Sequence, residues 1–291
     1  MSMKKNIFKV FVVLVLGSVC QATIIDDYMA VCSDAIGHWQ FEGSDPQLVV
    51  DTTSNGNDLY FGNSTGVDGE DGSRTSDGLL GNAMYCVRAA GMASSVTDND
   101  GLDFAPDDAF SIALWVKNEY RTGNSTLVSK QESSGYYRGY SLVWQSDDTI
   151  QFLLRSQNLV GDRLWVRMTT GVGEIVAADD QWVHVAMTYN GNLSSSGFKL
   201  YLNGAQVDPS LLYDYDDEPG LDDTDDTTNN IAFCLGGRNT SSIFGGYMDE
   251  AAVWGRVLSS AEVTTLAAIP EPATIAILGL GCFAALLRRK R

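Results

Sequence analysis

Apolar and polar residues alternate with a period of two along most of this chain, the pattern of strands that bury one face. The clearest run is Phe110-Ser111-Ile112-Ala113-Leu114-Trp115-Val116-Lys117, in which Phe110, Ile112, Leu114 and Val116 share a face. The same reading predicts strands at residues 36–43, 58–61, 83–87, 126–129, 140–144, 150–154, 164–168, 182–189, 198–202 and 231–235. Turn residues separate them, and 62–78, rich in Gly, Asp, Ser and Thr, reads as a surface loop. Many short strands with turns between them predict an all-β protein, a two-sheet antiparallel sandwich or jelly roll. Residues 246–263 predict a strand, a turn and a short closing helix, because Ser259 and Glu262 stand at capping-box spacing. No other stretch has a convincing period near 3.6, and 23–35 reads as a lead-in segment.

In the strand from Gly246, alternation puts Tyr247, Asp249, Ala251 and Val253 on one face and Met248, Glu250, Ala252 and Trp254 on the other. Both faces carry apolar residues, which predicts cover on both sides and at least one buried carboxylate in need of a partner. Asp249 and Glu250 are neighbours, so a regular strand aims them to opposite faces.

Charge changes the picture of partners. Setting aside Lys4, Lys5 and Lys9 and the four basic residues 288–291 leaves 12 of the 19 basic residues, against 36 of the 37 acidic ones once Glu271 is removed. The domain between residues 23 and 268 therefore carries about −24, a surface that repels nucleic acid and anionic membrane. Residues 208–230 hold eight Asp or Glu within a short span, from Asp214 to Asp226, and read as a solvated or cation-collecting loop. Asp98-Asn99-Asp100-Gly101-Leu102-Asp103 looks like part of a calcium loop, although a turn entering a strand also accounts for it.

Lysines 4, 5 and 9, an apolar run from Val10 to Leu16 and the small residues that follow read as a signal peptide over 1–22, ending at Ala22. Lipid attachment at Cys20 is the weaker alternative. Export permits disulfides, and Cys32, Cys86 and Cys234 form an odd set: one disulfide and one free thiol, with three possible pairings. With His38 and His184 as the only histidines and no CxxC spacing, a transition-metal site is not expected.

Six segments together resemble a laminin-G-like, concanavalin A-like jelly-roll domain over about residues 36–266. They are Gly37-His38-Trp39-Gln40-Phe41-Glu42, Asp51 to Asn57, Phe110 to Val116, Gln181 to Gly191, Lys199 to Gly204, and the stretch from Gly246. The resemblance implies a binding or adhesion scaffold, with an extracellular polysaccharide or a surface protein as partner. It also implies a calcium ion (Ca2+) near the junction of first and last strands. Glu42, Asn55, Asn57 and Asp249 are the candidate ligands, with Asp51 a further one. The alternative is that the asparagines form turns and Asp249 is hydrogen-bonded inside the sandwich. Tyr136, Tyr137, Tyr140, Trp144 and Trp165 are candidates for stacking on sugar rings. His184 falls where the family has a strand histidine and is expected to be packed.

Glucanases on this scaffold carry two or three carboxylates in a Glu-x-Asp-x-x-Glu pattern, and this chain has none. Gly-x-Ser-x-Gly and His-Glu-x-x-His are absent too, so no enzyme is expected. A structural matrix protein without a specific ligand is the competing reading. At the end, Pro270-Glu271-Pro272, an apolar run over 273–287 and the basic residues 288–291 resemble the PEP-CTERM sorting signal of Gram-negative bacteria, placing it at 269–291. That resemblance implies transient membrane anchoring through the tail, processing by an exosortase-type enzyme, and delivery to the outer surface or extracellular matrix. A permanent C-terminal anchor is the alternative.

Overall fold

The computed structural model describes residues 22–269 except 63, 68–70, 88–90, 96, 121–122, 158–162, 169–180, 217–220 and 239–241. The expected signal peptide up to residue 21, the Pro270-Glu271-Pro272 motif and the apolar run over 273–287 lie outside the described residues. Helix α1 covers residues 22–32. Strands follow as β1 (Gly37–Trp39), β2 (Leu48–Val49), β3 (Leu59–Phe61), β4 (Ser73–Thr75), β5 (Ala83–Cys86), β6 (Ala93–Ser94), β7 (Ala109–Asn118), β8 (Ser125–Gln131) and β9 (Gly139–Trp144). The rest are β10 (Ile150–Arg155), β11 (Arg163–Met168), β12 (Val183–Asn190), β13 (Phe198–Leu202), β14 (Ala205–Gln206), β15 (Leu212–Asp216), β16 (Cys234–Leu235) and β17 (Gly246–Trp254), before helix α2 (Ser260–Leu266).

These strands form two antiparallel sheets. The first runs β14-β13-β12-β7-β17-β5-β4, with β1 also paired to β17; the second runs β15-β11-β10-β9-β8-β16-β6-β3-β2. Period-two alternation explains the layer between them. Phe110, Ile112, Leu114 and Val116 of β7 meet Tyr140, Leu142, Trp144, Phe152 and Leu154 of the second sheet. Aromatic rings fill the middle, with Phe104 and Phe110 stacked at 4.2 Å. Leu153 and Arg155 of β10 point away from this core, as the alternation of buried and half-buried residues along the strand shows.

The outer face of the first sheet is sealed by a second apolar layer, in which Tyr28 and Cys32 of α1 and Val263 and Leu266 of α2 pack on Trp115, Ala252 and Trp254. Helix α2 begins with the expected capping box, Ser259 and Glu262 each bonding the other's backbone N–H. Helix α1 replaces the lead-in segment. Ile25, Tyr28 and Cys32 recur at helical spacing and turn inward, while Asp26, Asp27, Met29 and Ala30 stay exposed.

Other expectations change in detail. Strand β4 lies inside the stretch 62–78 read as loop, pairing β5 through Arg74↔Met84. Part of the acidic segment 208–230 is strand β15, paired to β11. The predicted strand 231–235 shortens to Cys234–Leu235.

Strand β17 corrects the face assignment. A bulge interrupts its pairing with β7 between Asp249↔Trp115 and Ala252↔Ala113, and Glu250 takes φ 51°. Two residues oppose one, so the alternation inverts. Met248, Ala251 and Val253 therefore face the core between the sheets, while Ala252 and Trp254 face the helices. Asp249 and Glu250 both end up buried on the helix side, not on opposite faces.

The expected disulfide does not form: Cys32, Cys86 and Cys234 are all free and buried. Each sits in a different packing cluster, Cys86 between the sheets, Cys32 under α1, and Cys234 beside Met92 and Ile243. Intervening sheet keeps the sulfurs apart. Burial raises the Cys32 thiol to about 12.

Candidate functional site

The five residues proposed for calcium divide into two groups. Asp51 organises its own turn: Oδ1 accepts from the backbone N–H of His38 and Thr53 (3.0 Å each). Its Oδ2 accepts from Thr53 Oγ1 (2.7 Å) and Asn57 N–H (2.9 Å). Asn55 and Asn57 donate to the Ile36 carbonyl at 2.9 and 2.7 Å, and Asn57 Oδ1 accepts from Asn99 at 2.6 Å. Glu42 and Asp249 instead hold the 79–82 segment. Glu42 accepts from the backbone and side chain of Asn82 (2.7 and 2.9 Å). Asp249 Oδ2 accepts from Leu79 and Leu80 N–H (2.8 and 3.1 Å), and Oδ1 from Glu250 N–H (2.8 Å). Carboxylate oxygens that already face N–H and O–H donors are not free for a cation, so these residues do not fit a calcium cage as arranged.

Among the described residues, the carboxylates that converge within 4.8 Å are Asp98, Asp100 and Asp103. The fully buried Lys130 ammonium already serves them, 2.7 Å from both Asp98 Oδ1 and Asp103 Oδ1 and 2.9 Å from the Asn229 carbonyl. A protein cation stands where a calcium loop would need a free one.

A second polar cluster lies under α1. With its proton on Nε2, His38 donates to Glu250 Oε2 (3.0 Å), and its Nδ1 accepts from Thr52 Oγ1 (2.8 Å). The Tyr28 hydroxyl is 3.0 Å from Nε2, and Gln40 donates to both Glu250 oxygens. Thr52, His38 and Glu250 have the order of a hydroxyl–base–acid relay. The Thr52 hydroxyl, however, also lies 3.1 Å from the His38 carbonyl, and the His38 and Glu250 side chains are sealed from solvent. Burial first, then the Glu250 carboxylate, pushes Asp249 up to about 8, against the pull of its three N–H donors. His184 is packed as expected, edge-on to Trp115 at 5.3 Å, and burial lowers it to about 3.

The outer face of the second sheet is different. Strand β8 is covered on that side by residues 236–238 and 242–243: Ser129 donates to the Gly237 carbonyl, and Thr126 bridges to Ile243. Strand β10 is not fully covered, so a step forms where the covering segment ends. Three groups meet there. Arg238 comes from the cover, Arg155 from β10, and Tyr137 from the hairpin between β8 and β9. The two guanidinium carbons lie 5.6 and 5.8 Å from the Tyr137 ring centre. Tyr137 is 37% exposed and holds φ 57°, an uncommon conformation for a non-glycine residue.

The local sequence builds this hairpin. Arg138 closes its neck with Glu132 (3.2 Å) and ties it to Asp226 (2.8 Å) of the acidic segment. Asn229 donates to the Lys130 and Arg138 carbonyls, both at 3.1 Å. The acidic segment thus buttresses the hairpin here, while Asp222 and Asp223 remain exposed. Gly139 has φ 109°, and a Cβ there would meet the Lys130 carbonyl at 2.0 Å. Its cross-strand partners are Gln131 and Arg155, and the Asn229 side chain fills the space beside it. Gln131 is 1% exposed; its Oε1 accepts from Arg238 (3.1 Å) and its Nε2 has no hydrogen-bond partner.

Of the five aromatic candidates, Tyr140 and Trp144 are core, Tyr136 and Tyr137 are exposed, and the Trp165 side chain lies outside the described residues. Tyr140 and Trp144 share alternation phase with Leu142, which marks them as inward, whereas Tyr136 and Tyr137 follow Gly135 at a hairpin tip. Arg155, Arg238 and Gln131 were not foreseen. Arg155 was within reach, being out of phase with Phe152 and Leu154. Arg238 depends on a loop that no periodicity describes.

Two antiparallel sheets packed face to face, with an exposed aromatic group on one outer surface, define a lectin-like sandwich. A family model described as the Concanavalin A-like lectin/glucanases superfamily, of laminin G type, matches residues 90–264, and the chain belongs to that family. A PEP-CTERM protein-sorting motif matches residues 268–291, the mark of an exported, surface-directed protein. No curated protein matches the chain. Among solved structures, it is similar to the binding domain of Paraclostridial Mosquitocidal Protein 1, at 17% identity and TM-score 0.57, covering 81% of this chain and 52% of that one. It is also similar to the Botulinum Neurotoxin serotype G binding domain, at 14% identity and TM-score 0.57, covering 80% and 50%. A third is the Botulinum neurotoxin serotype D ligand binding domain in complex with N-acetylneuraminic acid, at 14% identity and TM-score 0.57, covering 83% and 52%. The chain spans about half the length of these structures, and at such identity the likeness concerns the fold. Among the described residues, no helix is long and apolar enough to cross a membrane.

Proposed function

We propose that this protein is a non-catalytic, sugar-binding protein of the cell surface or extracellular matrix, and that its ligand docks on the outer face of the second sheet beside Tyr137. The observation that carries this reading is an exposed tyrosine ring, held at a hairpin tip, with two guanidinium groups against it. An aromatic face takes the C–H face of a sugar ring, and guanidinium N–H groups take its oxygens. The hairpin is pinned by Arg138 and Asn229, so little ordering is lost when a ligand arrives. The similar structures are described as binding domains and one as holding a sugar, which agrees with this use of the scaffold.

The PEP-CTERM motif adds a route: an exosortase-type enzyme removes the tail after transient anchoring, in a Gram-negative envelope. A glycan array read with intact mature protein and with Tyr137→Ala tests the proposal. Specific binding that drops tenfold or more in the variant is expected, in line with truncation of an aromatic anchor. EDTA should leave that binding unchanged, because the residues that would hold calcium already have donors. Binding untouched by Tyr137→Ala would move the site elsewhere, and turnover of a polysaccharide would make the protein an enzyme.

A further inference from the structure

Resting on that reading, we infer that the Tyr137 site is selective for carboxylate-bearing sugars such as uronic acids. The domain carries about three acidic residues for each basic one, and three of its arginines sit on protein carboxylates. Arg138 pairs with Glu132 and Asp226, Arg167 with Asp147, and Arg256 with Asp34 and Glu262. Arg155 is different. It makes no ion pair among the described residues, and its guanidinium lies over the Tyr137 ring. In a chain this acidic, a guanidinium that none of the described carboxylates pairs with stands out, since carboxylates are plentiful.

The neighbouring groups point the same way. Arg238 brings a second planar set of N–H donors to the same ring, from the covering segment. A carboxylate accepts two parallel N–H bonds from such a fork, which a sugar hydroxyl cannot do. Gln131 Nε2, buried beside Arg238 and without an acceptor, is a further donor lacking an oxygen. Donors therefore converge on the Tyr137 ring from two elements, β10 and the covering segment, with Gln131 of β8 behind Arg238. Among the described residues no acidic side chain pairs with Arg155, so a carboxylate arriving on it displaces none of them. The strongly negative remainder of the surface repels a polyanion, so such a ligand is held only where its charge is met locally.

The test uses intact mature protein in native affinity gels. The probes are polygalacturonate and alginate, the same polymers after chemical reduction of their carboxyl groups, and dextran and xylan as neutral polymers. Retardation by the acidic polymers is expected, lost after reduction and weakened by raising the salt. Arg155→Ala should weaken it tenfold or more, and Arg155→Lys should recover it only in part, since an ammonium lacks the fork. Lys199→Ala, which removes an exposed charge from the other sheet, should change nothing. Equal retardation before and after reduction, or indifference to Arg155→Ala, overturns acid selectivity and leaves sugar binding standing. Retardation by neutral polymers alone does the same. Failure of every polymer, with the glycan array also blank, overturns both. Circular dichroism of each variant shows that loss of binding is not loss of fold.

Discussion

On the outer face of the first sheet, His38, Glu250, Asp249 and Tyr28 lie buried beneath α1, and each has hydrogen-bond partners inside the protein. On the outer face of the second, Arg155, Arg238 and Tyr137 meet at a step open to solvent, beside a glutamine with an unused donor. Read as residue types, the first group is the more suggestive of chemistry, with a histidine, two acids and a hydroxyl in line. Its surroundings give the opposite answer. Asp249 spends its lone pairs on backbone N–H groups and Glu250 on the His38 and Gln40 side chains, and two helices cover them. Binding belongs where polar groups are reachable and incompletely used; stability belongs where they are sealed and satisfied.

This contrast can be broken by mutation. The largest effect is expected from Glu250→Ala, which strands His38, Gln40 and Tyr28 without their shared acceptor. Removing one partner of a buried pair costs about 3–5 kcal/mol. Thermal or urea unfolding should show that loss, with glycan binding by the folded fraction unchanged; a weak effect would mean that the cluster is hydrated and open.

Next comes pH. Asp249 keeps its proton in the folded state up to about pH 8, whereas in the unfolded chain it releases it near the ordinary aspartate value of 3.8. The folded state thus holds the proton more tightly. Its contribution is full below about pH 4 and fades as pH rises towards about 8. Urea unfolding from pH 4 to 9 should show that decline, and Asp249→Asn should flatten it while keeping an acceptor for the 79–82 segment.

A smaller effect is expected from Ser259→Ala, which removes the cap of α2 and with it part of the lid. The loss should be about 1 kcal/mol, seen as a modest fall in melting temperature. On the second sheet, Tyr137→Ala should shift stability within about 0.5 kcal/mol while removing binding, the reverse of Glu250→Ala. A reducing agent should leave the melting curve unchanged, since Cys32, Cys86 and Cys234 are thiols.

Much of the architecture was legible in the chain. Phe110 to Val116 announces a core strand, Ser259 and Glu262 announce α2, and the ordered segments from Gly37 to Trp254 resemble the family. What escaped depends on contacts distant in sequence. The bulge at Glu250 has no local signal, because its cause is the demand that both carboxylates and both helices share one side of β17. Helix α1 carries a short inward stripe, Ile25-Tyr28-Cys32, too brief to stand out beside a signal peptide. The site itself combines a hairpin tip, a strand and a loop: the tyrosine and the phase of Arg155 had a pattern in the chain, and Arg238 had none. The calcium set failed as a cage because turn-forming residues and metal ligands are the same residue types, separated only by what their oxygens already accept.

The pairing of β1 with β17 ties His38 to Ala252, residues more than two hundred positions apart. Strand β17 is also the central bridge between β7 and β5, so the first sheet stays in two pieces until almost the whole domain has been made. Local pairs such as β2–β3 and β4–β5 can form early, but the joints at β17 must wait for it. Contacts this distant in sequence close slowly, so completion of the first sheet coincides with the arrival of its last strand.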